Sequence, residues 1–65
     1  MPWNSKDYPA SMKNLTSEVR GKAIDIANAL LDEGYEEGRA IAIATAQAEK
    51  WAERRHKPVK QGEEQ

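Results

Sequence analysis

The chain contains no cysteine and no phenylalanine, and it has no apolar run approaching the length of a membrane span. Each absence removes a class of protein. Without cysteine neither a disulfide framework nor a thiolate zinc site can form, and small secreted domains usually depend on such a staple, so the expected compartment is the cytoplasm. A bilayer span needs ~20 consecutive apolar residues, and the N-terminus lacks the uninterrupted apolar stretch of a signal peptide, so neither membrane insertion nor secretion is expected. An excess of one charge is missing as well. Ten Lys and Arg stand against eleven Asp and Glu, for a net charge of −1. No global field then draws the molecule to DNA or to an anionic bilayer, and such a partner would have to be held locally.

What is present is a 65-residue chain, 32% charged and 38% apolar, a balance that suits a small globular domain better than a disordered one. Residues 1–56 are expected to form a single small helical domain, and 57–65, polar and without periodicity, a disordered tail. Ten of the apolar residues are alanines. The larger core candidates are Trp3, Tyr8, Met12, Leu15, Val19, Ile24, Ile26, Leu30, Leu31, Tyr35, Ile41, Ile43 and Trp51. Burying each contributes roughly 1.5–3 kcal/mol while ordering each residue costs about 1.5 kcal/mol. Stability is therefore expected to be modest, or supplemented by self-association.

The pattern along the chain predicts an all-α fold: a small antiparallel helical hairpin, with helices at about 17–33 and 36–55, covered by an ordered N-terminal arm. Pro2 and Pro9 fix their own φ and bias the residue before each toward extended conformation. A mostly extended arm with a helical turn at 10–15 fits this segment; so does a small strand pair. Thr16 or Ser17 can cap the first helix, and Glu18 suits the positive end of its dipole. At 100° per residue, Ile26, Val19, Leu30, Ala23, Ala27, Leu31 and Ile24 share an arc about 160° wide, with Asn28, Asp25, Gly21, Asp32 and Glu18 opposite, and Leu30 is expected to be central to the core. An arc that wide asks for two neighbours, the second helix on one side and the arm on the other. Gly34 ends the helix in a left-handed conformation, and Tyr35 falls where a Schellman motif places its apolar residue. In the second helix Ala40, Ile41, Ala44, Ala48, Trp51 and Ala52 form the buried stripe. Alanine at every fourth position permits close approach, with Ala23 and Ala27 as counterparts. Trp51 closes the open end of the hairpin.

No catalytic constellation emerges. His56 lies among arginines and a lysine with no orienting carboxylate, and reads as a solvated helix-terminal cation. Ser5, Ser11, Thr16, Ser17 and Thr45 lack a nucleophile-elbow context, and Thr45 reads as a helix-surface residue. Asp32, Glu33, Glu36 and Glu37 surround Gly34 but lack the alternating ligand ladder of a calcium loop. No catalytic residue, cofactor site or metal site is expected. A helix–turn–helix reading fails on Glu36 and Glu37, which would present carboxylates to phosphates at the start of the second helix. Two surfaces remain. Lys50, Arg54, Arg55, Lys57 and Lys60 form a basic cluster beside Trp51, interrupted by Glu49 and Glu53, and suited to weak nucleic-acid contact. Ile43 breaks the pattern of the second helix between Ala42 and Ala46. It is either an isolated exposed residue, a contact for the arm, or the centre of a protein-contact patch formed by Ala42, Ile43 and Ala46.

The opening Met-Pro-Trp, the Asp7-Tyr8-Pro9 step, Val19-Arg20 leading to Ala-Ile-x-Ile-Ala-Asn-Ala at 23–29, and Glu33-Gly34-Tyr35-Glu36-Glu37-Gly38-Arg39-Ala40-Ile41 resemble the YdaT-type proteins of Gram-positive bacteria over residues 1 to about 54. A looser resemblance, carried by the Met-Pro-aromatic start, an acidic residue before a hydrophobic-Pro step and a tryptophan-bearing helix end, is to the ChaB family. The first resemblance implies a cytoplasmic protein of unassigned role linked to stress physiology, with no catalytic residues to transfer and with longer relatives that continue into a second small domain. The second implies regulation of cation transport, for which this sequence offers no cation site. Residues and resemblance together predict a non-catalytic protein-interaction or regulatory module, acting on an unidentified protein or on a second copy of itself. Nucleic-acid binding by the basic end of the second helix is the alternative.

Overall fold

The computed structural model describes residues 3, 4 and 6–56. The segment 57–65, expected to be a disordered tail, lies outside the described residues, and Lys57 and Lys60 with it. The fold is the antiparallel helical hairpin that the periodicity predicts. A 3-10 turn at Ala10–Met12 precedes α1 (Ser17–Asp32), and α2 (Glu37–Arg54) follows a short turn. No helix among the described residues is long and apolar enough to cross a membrane.

Local chemistry sets each boundary. Thr16, in extended conformation, caps α1, its Oγ1 accepting the Val19 N–H at 3.4 Å. At the other end Gly34 adopts φ +102°, a region that costs a side-chain-bearing residue about 1–2 kcal/mol. This conformation lets the Gly34 N–H donate to the Leu31 carbonyl at 3.0 Å and the Tyr35 N–H to the Leu30 carbonyl at 3.1 Å. That pair of bonds is the Schellman motif expected at this glycine. Glu36 precedes α2 without a side-chain cap bond, so the first-turn acid Glu37 and the last-turn base Arg54 supply its electrostatic ends. Beyond α2, His56 takes a left-handed φ of +55° and donates its backbone N–H to the Glu53 carbonyl.

The contact between the helices is built largely from alanine. Ala40, Ala44, Ala48 and Ala52 are the buried residues of α2, and Ala23 and Ala27 are buried on α1. The bulkier part of the core is Met12, Leu15, Val19 and Ile24, so two of its four large members come from the arm. Trp3, Tyr8, Ile26, Ile41 and Trp51 pack around it half-buried. The arm is thus the lid the sequence suggested, and its helical turn lies at Ala10–Met12.

Two polar side chains of α1 hold this lid. The Arg20 Nε donates to the Met12 carbonyl at 3.2 Å, and its Nη2 donates to the Lys13 and Leu15 carbonyls at 3.0 and 2.8 Å. The guanidinium also lies 4.7 Å from the centre of the Tyr8 ring. Eight residues on, the Asn28 Oδ1 accepts the Trp3 backbone N–H at 3.3 Å and the Asn28 Nδ2 donates to the Trp3 carbonyl at 3.0 Å. One amide side chain thereby satisfies both backbone groups of Trp3, as a neighbouring strand would. Before the proline step, the Asn4 Oδ1 accepts the Lys6 and Asp7 N–H groups at 2.8 and 2.9 Å, an Asx turn that bends the arm.

Three expectations are corrected. Asn28, placed opposite the buried arc, is only 3% exposed, because it lies under the arm. Leu30, expected to be central to the core, is half-buried, as is Leu31: both have the right helical phase but lie toward the turn, away from the arm. Thr45, read as a surface residue, has its Oγ1 buried with no hydrogen-bond partner.

Candidate functional site

The surface with the most distinctive chemistry is the edge of the hairpin that starts at Trp51. Near the end of α2 two cations lie over the half-buried Trp51 ring, the Arg55 guanidinium 5.0 Å and the Lys22 ammonium 5.7 Å from a ring centre. Both distances are within the range of cation–π attraction. Lys50, Arg54, Arg55 and Gln47 surround the same ring in a shallow recess. Glu49 and Glu53, which interrupt this cluster in sequence, fall roughly opposite Trp51 by helical rotation. The sequence therefore understated how cationic this corner is. It also missed Lys22, whose place beside Trp51 depends on the register between the helices.

From this corner two rows of side chains run toward the turn. Residues four apart lie along one line of a helix, so Lys22, Ile26 and Leu30 form a row on α1, and Trp51, Gln47, Ile43 and Arg39 form one on α2. The helices are antiparallel and Lys22 lies over Trp51, which sets the two rows side by side. Ile26, Leu30 and Ile43 are half-buried, so the middle of this edge shows solvent a partly apolar surface. The rows end at the turn, where Glu33, Gly34, Tyr35, Glu36 and Arg39 line a second recess. Tyr35 there is 40% exposed. The edge thus passes from basic, through aliphatic, to predominantly acidic.

The expected site residues separate on this description. Lys50, Arg54 and Arg55 are exposed and share the Trp51 corner. Ala42 and Ala46 are exposed, while Ile43 is half-buried and sits in the row leading from Trp51. By helical rotation it falls on the same side of the helix pair as Ile26 and Leu30, with the exposed Ala42 and Ala46 beside it. His56 is exposed at the end of α2. Among the described residues no group of three or more His, Asp or Glu side chains converges as a metal site. Beside α1 a broad depression is lined in part by Trp3, Gly21, Ile24, Asn28 and Trp51. A Cβ added at Gly21 would meet nothing within 4 Å.

Comparison with known proteins finds a relative of high identity. The chain is 74% identical over 53 residues to "Uncharacterized protein YdaT" of Bacillus subtilis (strain 168). The match covers 82% of this chain and 35% of the relative, so the chain spans about a third of that protein's length. No family model and no solved structure matches, and the ChaB resemblance gains no support. Identity of 74% across 82% of the chain makes this a YdaT-type protein.

Proposed function

We propose that this chain is a non-catalytic interaction module of the cytoplasm that docks another protein along the edge formed by Ile26, Leu30 and Ile43. The observation that carries this reading is how the apolar side chains are distributed. The buried positions of α2 are filled by alanine, while Ile26, Leu30, Leu31, Ile41 and Ile43 are left half-buried. A chain with few large aliphatics leaves these side chains partly uncovered, and a partner can finish burying them. The experiment is capture of binding proteins on immobilised protein, comparing the wild type with Ile43→Asp. Ile43 lies outside the central core cluster, so the variant is expected to keep its helicity and lose the partner. Retention of the partner, or substrate turnover abolished by changing one polar residue, would reject the reading.

A second reading is favoured by the Trp51 corner. An indole flanked by Lys22 and Arg55 and bordered by Lys50 and Arg54 offers both stacking and phosphate attraction, the two contributions that single-stranded nucleic acid requires. Binding of a labelled oligonucleotide would then fall steeply with salt and drop on combined Arg54→Ala and Arg55→Ala substitution. Salt-insensitive or absent binding removes it.

A further inference from the structure

We infer that the partner of this edge is a second copy of the chain, packed antiparallel across a twofold axis that passes between Ile26 and Ile43. The inference rests on the docking-edge reading and adds the identity of the occupant. The edge carries Lys22, Lys50 and Arg54 at one end, Ile26, Leu30 and Ile43 in the middle, and Glu33 and Glu36 at the other. Each end holds one charge of the other sign, Glu18 in line with Lys22 at the basic end and Arg39 at the acidic end. A twofold axis perpendicular to this edge brings each basic end onto the partner's acidic end and the aliphatic centre onto itself. Such self-complementarity is what an isologous interface requires. A parallel arrangement would place like charges together and is excluded by the same pattern. Because the central side chains are already half-buried, little apolar area remains to be gained, and the dimer belongs among weak, charge-guided associations.

Sedimentation equilibrium over a wide concentration range, at low and at high salt, tests this. The wild type is expected to show a reversible monomer–dimer equilibrium whose dissociation constant weakens about tenfold as salt screens the two charged contacts. Two charge-reversed proteins sharpen the result, Lys22→Glu with Arg54→Glu in one and Glu33→Lys with Glu36→Lys in the other, each checked for helicity by circular dichroism. Each alone is expected to be monomeric, because its two ends carry the same sign, and an equimolar mixture is expected to recover the dimer. A monomeric wild type, a salt-insensitive dimer, or folded reversal variants that still self-associate would overturn the inference. Should a variant fail to fold, the salt dependence of the wild type decides alone. A monomeric wild type from which Ile43→Asp still removes another captured protein would sink the dimer and leave the docking edge standing.

Discussion

In the half of the hairpin that the arm covers, Met12, Leu15, Val19 and Ile24 are almost wholly removed from solvent, whereas toward the turn Leu30, Leu31, Ile41 and Ile43 are only half-buried. The aliphatic residues are of similar size in both halves, and most of those near the turn have the correct helical phase. What differs is cover. The arm reaches the first half because Arg20 and Asn28 hold its backbone, and it supplies Met12 and Leu15 as core residues in their own right. Burial in so small a protein is therefore decided by where polar side chains anchor a connecting segment as much as by where apolar ones stand.

The widest gap between the halves should appear on truncation. Met12→Ala, at a fully buried site, is expected to cost about 2–5 kcal/mol in urea unfolding, and Leu30→Ala nearer 1 kcal/mol. Equal losses would break the comparison. Arg20→Ala is expected to cost roughly 2–3 kcal/mol, since it strips the Met12, Lys13 and Leu15 carbonyls of a charged donor. Arg20→Lys should recover little of this, because one ammonium cannot reproduce the guanidinium fork, and hydrogen exchange should show the arm opening ahead of the hairpin. For Asn28→Ala the expected loss is about 1–3 kcal/mol, with Trp3 fluorescence shifting to the red as the arm detaches. A silent Asn28→Ala would mean that the apolar contacts of Trp3 and Met12 hold the arm unaided. Gly21→Ala carries the smallest effect and the opposite sign, a gain of roughly 0.5–1 kcal/mol, because the site is helical, exposed and free of close neighbours.

The backbone was legible from the sequence because its signals are local. Thr16 before an acidic first turn, Gly34 followed by Tyr35, and alanine at every fourth position from Ala40 to Ala52 each depend on residues a few places apart. Helix ends, turn geometry and the packed face of α2 followed from them. Asn28 was misplaced because a helical wheel scores its amide as polar and cannot foresee that the backbone of Trp3, 25 residues away, arrives as a matching donor and acceptor. Leu30 was misplaced because a wheel records angle and discards position along the axis. Lys50, Arg54 and Arg55 were found as a cluster by proximity in sequence, whereas Lys22 could join them only once the register between α1 and α2 was known.

That register has an unusual determinant. A column of four buried alanines presents a nearly smooth, repeating surface, and sliding α2 by one repeat, about 6 Å along the helix axis, sets alanine where alanine stood before. Side-chain shape at the seam therefore does little to choose among these offsets. The choice falls to the length of the connection at Gly34, which acts as a mechanical stop, and to the meeting of Trp51 with Lys22 at the far end. A longer connection should release the stop and let the helices populate several offsets, turning a single structure into a sliding one without changing a residue of the seam.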